Sequence, residues 1–259
     1  MRSRFLMSGL AAAVFAAGCS DTTAAGRSTA MLALATRAPT AGPAPLAGSA
    51  ANFSMNAVLA GADTTVLGSD TVIITRAALV LREIELKRAG ASACDSAETV
   101  GGDSDDCEEF TVGPQLFELP LGPGALNSVE ITVQPGTYSE LEFEIHKPED
   151  DGNAVDQAFL AAHPDFARVS IRVEGTWNGN PFVYQTELNV EQELDLVPPI
   201  LVGDAGTTQV VLLVNLAQFF RNGSGTGLVD PDSANKGGVN ESLVNENIKI
   251  AFESFENDS

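Results

Sequence analysis

Residues 138–145 read YSELEFEI: Leu141, Phe143 and Ile145 share one parity, Glu140, Glu142 and Glu144 the other, and Tyr138 opens the run. Side chains of a strand alternate between faces, so this pattern describes a strand with one face in a core and one in water. It begins directly after Pro135-Gly136, a turn pair that ends the preceding apolar run SVEITV. Downstream, RVSIRVEGTW repeats the alternation, with Val169, Ile171 and Val173 inward and Ser170, Arg172 and Glu174 outward. Asn178-Gly179 then supplies a hairpin turn before PFVYQTEL.

In LVLREIELKR the apolar parity changes between Leu81 and Ile84, which an extra residue near Arg82 and Glu83 explains as a bulge. TTQVVLLVNL is apolar on both parities from Val210 to Val214, as in a strand buried on both faces. Two segments read as helix. One is NAVDQAFLAAH. The other is the C-terminal NESLVNENIKIAFESF, where Val244, Ile248, Ala251, Phe252 and Phe255 form a helical stripe opened by Asn240 and Glu241. Ile248, Ile250 and Phe252 also alternate, so a final strand competes with the end of that helix. Many short strands, PG and NG turns and little helix predict a mainly β chain: an antiparallel β-sandwich with one or two short helices, one of them C-terminal.

The start of the chain has a different organisation. Arg2 and Arg4 precede an uncharged run from Phe5 to Ala17, and Ala16-Ala17-Gly18-Cys19 follows the pattern of a lipoprotein signal, with alanine where leucine is commoner three places before the cysteine. The apolar run is shorter than the ~20 residues a membrane span needs. Residues 1–18 are therefore expected to be a cleaved signal and Cys19 a lipidated anchor, in the outer membrane if the host has two. Residues 19–51 are rich in Ala, Thr, Gly, Ser and Pro and read as a flexible tether, the stretch MLALA being too short to nucleate a helix. Residues 52–259 then form one sandwich domain. With Cys19 assigned to lipid, Cys94 and Cys107 remain as a pair that an oxidising compartment would join, closing a loop worth about 3 kcal/mol in the chain-entropy model.

The net charge of −21 becomes −23 once Arg2 and Arg4 are cleaved, because all 35 acidic residues lie beyond them. A surface so negative repels nucleic acid and anionic headgroups and attracts cations or basic partners.

The succession ALVLREIELKR, LFELPLG, VQPGTYSELEFEIHKP, VEGTWNGNPFVY and NENIKIAFESFEND resembles a family of bacterial surface lipoproteins catalogued only as a domain of unknown function. The resemblance covers about residues 70 to 256 and implies a prealbumin-like or carbohydrate-binding β-sandwich. Its motifs are turn and core residues, and they carry no catalytic role onto this chain.

Chemical groups are few. His146 and His163 are the two imidazoles, neither beside a Gly-x-Ser-x-Gly turn, and each reads as a surface or turn residue. Glu140, Glu142 and Glu144 offer a cation or ligand platform, against the simpler reading of a solvated face partly neutralised by Arg172. Three acidic loops offer oxygen ligands for structural calcium: the one with Asp103, Asp105 and Asp106, the one with Glu149, Asp150, Asp151 and Asn153, and the segment from Asp230 to Glu241. That segment sets Asp230, Asp232 and Glu241 at the first, third and twelfth positions of an EF-hand-like loop, but Ala234 and Asn235 break the motif. Trp177, Phe182 and Tyr184 near the NG hairpin are candidates for a sugar-stacking platform. The expectation is a membrane-anchored, non-catalytic binding module for a glycan or an envelope protein, with an envelope scaffold or a carboxylate-dependent glycosidase as alternatives, and no nucleic-acid partner.

Overall fold

A computed structural model describes residues 28–36, 62–90, 107–111, 113–121, 127–149, 152–203 and 207–253. Its strands are β1 (Ser28–Thr36), β2 (Asp63–Leu67), β3 (Asp70–Arg88), β4 (Cys107–Thr111), β5 (Gln115–Glu118), β6 (Asn127–Val133), β7 (Gly136–Ile145), β8 (Ile171–Trp177), β9 (Asn180–Thr186), β10 (Val190–Val202), β11 (Thr207–Val214) and β12 (Phe252–Glu253). Helices α1 (Ala154–Ala162), α2 (Leu216–Phe219) and α3 (Glu241–Lys249) complete the described elements, with two short 3-10 turns. One sheet runs β12-β11-β1-β6 and the other β10-β7-β3-β8-β9, with β2, β4 and β5 also paired to β3. The chain is mainly β and consistent with the predicted sandwich.

β3 is the spine of the larger sheet. Along one edge it pairs with β8 from Val72 to Leu79 and then with β7 from Leu81 to Arg88. The handover falls at Val80, whose N–H donates to the Ser170 carbonyl at 2.8 Å while its carbonyl accepts from the His146 N–H at 2.9 Å. The predicted bulge lies where the parity change set it: Glu83 has φ +50° and the β3–β7 register slips between Arg82 and Glu85. A second irregularity, between Ile74 and Arg76, brings the β8 backbone close, and Gly175 is required there because a Cβ would stand 2.0 Å from the Ile73 carbonyl oxygen.

Leu79, Leu81, Leu141, Phe143, Ile145, Ile171 and Val173 are buried between the sheets together with Val210, Leu212 and Phe219. On the opposite side of β3, Ala78 and Val80 form a small second core with Phe159 of α1 and Phe166. Helix α1 starts at the predicted place, Asn153 accepting from the Val155 N–H at 3.0 Å. At the C-terminus both readings hold in succession: α3 buries Val244 and Ile248 and ends at Lys249, after which Phe252 pairs as a strand with Val214. Phe255 lies outside the described residues.

The tether reading fails at its centre. Residues 28–36, which include MLALA, form β1, inserted between β11 and β6, with Ala30, Leu32, Ala33 and Leu34 fully buried. A short strand buried on both faces has no alternation to announce it, and here it is flanked by low-complexity sequence. The β1–β11 pair is parallel, unlike the antiparallel pairing expected throughout. The leader, Cys19, the remainder of the tether and Cys94 lie outside the described residues, while the backbone of Cys107 opens β4 opposite Lys87.

Two truncated chains separate the readings: one beginning at Ser28 should unfold cooperatively in urea, whereas one beginning at Asn52 should lack a cooperative transition. Leu32→Ala in the longer of the two should cost about 3 kcal/mol in the same assay.

Candidate functional site

The outward parity of β7 carries Glu140, Glu142, Glu144 and His146, and register with its neighbours turns this row into a grid. Asp195 of β10, Glu140 and Lys87 of β3 stand in one line across the strands; Glu193, Glu142 and Glu85 form the next; Glu191, Glu144 and Arg82 form the third. Lys87 Nζ donates to Glu140 Oε1 at 3.1 Å, and Arg82 Nε donates to Glu144 Oε2. The three residues of the middle line are all acidic. One carboxylate oxygen each of Glu142 and Glu193, and of Glu191 from the next line, lie within 4.8 Å of one another. A hydrogen bond shared with Glu191, partial burial and the charges of Glu191, Glu85 and Glu193 push the Glu142 carboxyl up to about 8. The predicted neutralising role of Arg172 is not found, because β8 joins β3 rather than β7; its Nε donates to Glu174 Oε1 at 2.7 Å on its own strand.

At the end of β7 the face closes over. His146 is buried, contrary to the surface reading, because α1 folds back ten residues later and brings Asp156 onto it. His146 Nε2 donates to Asp156 Oδ1 at 2.9 Å, and Asp156 Oδ2 accepts from the Glu149 N–H at 2.8 Å. His146 Nδ1 faces Glu144 Oε1 at 3.9 Å, and that oxygen also accepts from Asn189 Nδ2 at 2.7 Å. Burial opposes charge on the imidazole, but the two carboxylates outweigh it and hold its pKa above 6.5. Glu144 is likewise buried, and His146 and Arg82 hold its pKa below 4.5. A polar cleft of about 320 Å³ opens between Arg82, His146, Asn153, Asp156 and Asn189. With Nε2 bonded to Asp156 of α1 and Nδ1 turned to Glu144 of β7, the imidazole clamps α1 to the sheet. His163 is a turn residue as expected, at the C-terminal end of α1 with its ring 4.8 Å from that of Phe159.

The other candidates resolve differently. Phe182 and Tyr184 are core residues, their rings 5.7 and 5.4 Å from Phe220, and Trp177 is half-buried against the same core, so the three form no stacking platform. The alternation of Phe182 and Tyr184 with exposed Val183 is the signal for this burial. Asp230, Asp232 and Glu241 do not converge on one point. Asp230 Oδ1 accepts from the Asp232 N–H at 3.1 Å and Glu241 Oε2 from the Gly237 N–H at 2.6 Å, so both cap backbone, and among the described residues the three are not a ligand group. Their loop is instead fastened by Asn235, which accepts from the Gln185 N–H at 2.8 Å and donates to the Val183 carbonyl at 3.1 Å on edge strand β9. Glu149 pairs with Lys147 at 2.7 Å, and Asp103, Asp105, Asp106, Asp150 and Asp151 lie outside the described residues.

No protein-family model, curated protein or solved structure matches this chain.

His146 and Glu142 push stability the same way with pH. Each has a raised pKa in the folded state, so its contribution is complete below its unfolded value, 6.5 for His146 and 4.5 for Glu142, and is lost as pH rises through the folded value, about 8 for Glu142. Urea midpoints should therefore fall from pH 5 to about pH 9, less steeply in His146→Gln and in Glu142→Gln. Asp156→Ala, which leaves the buried imidazolium without its partner, should cost about 3 kcal/mol at pH 6.

Proposed function

We propose that this chain is an exported lipoprotein, held to the cell envelope through Cys19, whose β-sandwich is a non-catalytic binding module for an envelope protein with a basic surface. The order of the first nineteen residues, two arginines, an uncharged run and Gly18-Cys19, carries the anchored reading. The oxidising compartment it implies would also join Cys94 to Cys107. A protein partner is preferred to a glycan because Phe182 and Tyr184, which would have stacked on sugar, belong to the core. The outward face of β3, β7 and β10 sets Glu85, Glu140, Glu142, Glu144, Glu191, Glu193 and Asp195 against Arg82 and Lys87, an excess that favours a cationic surface.

In cells, Cys19 should carry diacylglycerol by mass spectrometry, and Cys19→Ser should move the protein from the membrane to the soluble fraction. For the binding face, calorimetry with an oligolysine peptide is decisive: Glu191→Gln/Glu193→Gln should weaken binding about tenfold, and Asp232→Asn/Glu246→Gln, on the Pro231–Ala234 turn and α3 rather than on β3, β7 or β10, should leave it unchanged. Equal losses in both pairs would reduce the effect to net charge. A melting-temperature rise in millimolar calcium that Glu142→Gln abolishes would make the face a cation site rather than a partner surface.

A further inference from the structure

The two sheets define a common pole. Ser28 opens β1 opposite Val133 at the end of β6, and Thr29 stands beside Thr207 at the start of β11. Gln134 and Pro135 lead at once into Gly136, which faces Val202 at the end of β10. Arg88, the last residue of β3, stands opposite Tyr138 and donates to the Pro135 carbonyl at 3.3 Å, next to Lys87, which pairs with Cys107. The starts of β1, β4, β7 and β11 and the ends of β3, β6 and β10 therefore gather at one end of the sandwich.

The other end of β3 begins at Asp70, against the tip of the β8–β9 hairpin. The Asn178 N–H donates to the Thr71 carbonyl at 2.9 Å, and Asn178 Oδ1 accepts from the Thr71 N–H at 2.9 Å, so the tips Gly68–Ser69 and Asn178–Gly179 are tied together. At about 3.3 Å per residue, the halves of β3 from Thr71 to Val80 and from Val80 to Arg88 are roughly 30 and 26 Å long, so even a right-angle bend at the handover leaves its ends about 40 Å apart.

Cys19 precedes Ser28 by nine residues. Fully extended, that stretch reaches about 30 Å, less than the distance between the poles. A lipid on Cys19 therefore could not let the hairpin tips touch the bilayer with the opposite pole pointing away. Had the domain begun at residue 52, a reach of about 110 Å would have allowed every orientation. Leu201, 72% exposed and opposite Thr137, adds an apolar side chain at the Ser28 pole, suited to the headgroup boundary.

Building on the lipid-anchor reading, we propose that the pole carrying Ser28, Thr137 and Leu201 rests on the bilayer surface, with the paired hairpin tips Gly68–Ser69 and Asn178–Gly179 presented outward. The test uses the lipidated full chain, in a Cys94→Ser/Cys107→Ser background or with that pair oxidised, reconstituted in phosphatidylethanolamine/phosphatidylglycerol vesicles that contain a nickel-chelating lipid. Nitroxides are placed at the exposed positions Thr137→Cys and Asn180→Cys, with circular dichroism confirming that both variants fold. Relaxation enhancement by nickel should be at least about threefold greater at position 137, given the pole separation. Equal or reversed enhancement, with diacylglycerol present on Cys19, would overturn the orientation and leave the anchor standing. Absence of lipid on Cys19 in the cell-derived protein would overturn both.

Discussion

The handover at Val80 is the constraint around which the rest of the larger sheet is arranged. One strand, β3, must serve two partners in tandem along the same edge, β8 and then β7, and Val80 is where its N–H turns to Ser170 and its carbonyl to His146. A strand of 19 residues that paired continuously with single neighbours would build up a large twist. Changing partners halfway, with a bulge just beyond, lets each half take its own direction. The chain between the two partners, residues 146 to 170, has to leave the sheet and return at that same point. Helix α1 and the turn around Phe166 are what it makes on the way, and they cover Ala78 and Val80 on the side of β3 that faces away from the main core.

That excursion explains the burial of His146. The position just after β7, on its outward parity, falls under the first turn of α1, so the imidazole keeps little contact with water and is served by charge partners within the fold. Asp156 arrives with the helix and Glu144 with the strand, while Arg82 takes the second oxygen of Glu144 and Asn189 shares the one that faces the imidazole. The cluster holds together a helix of only nine residues, which gains little stability from its own hydrogen bonds.

What sequence could show follows the distance over which each signal is written. The strand character of β7, β8 and β9 and the bulge at Glu83 lie in consecutive residues, where parity alone is enough, and the same parity marks Phe182 and Tyr184 as inward. β1 was hidden because its meaning depends on β11, about 180 residues later, a strand whose own sequence is legible but does not say which segment it pairs with. The burial of His146 was hidden by α1, a separate element, although its parity was plain. The capping roles of Asp230 and Glu241 were hidden for the opposite reason: their spacing resembles a calcium loop, but the backbone N–H groups that occupy them are local and leave no trace in residue identity. The line Glu193, Glu142, Glu85 spans three strands and becomes visible only with the register.

The bulge also decides how charge is distributed on the outward face. In an unbroken strand Arg82 would share a face with Ile84 and Leu86, and Glu83 with Glu85 and Lys87. The extra residue moves Arg82 onto the face of Glu85 and Lys87, so Arg82 and Lys87 flank a glutamate and each meets one glutamate of β7. Glu142 stands opposite Glu85 on one side and meets two more carboxylates from β10 on the other, which is why its proton is held to about pH 8 while Glu144, one line away, gives up its proton below the ordinary range. An aqueous surface could have relieved Glu142 with a single lysine at position 85, 191 or 193. The same strands that set a base in each outer line set only acids in the middle one, so the one line of carboxylates without a base is fixed by backbone register rather than by the overall acidity of the chain.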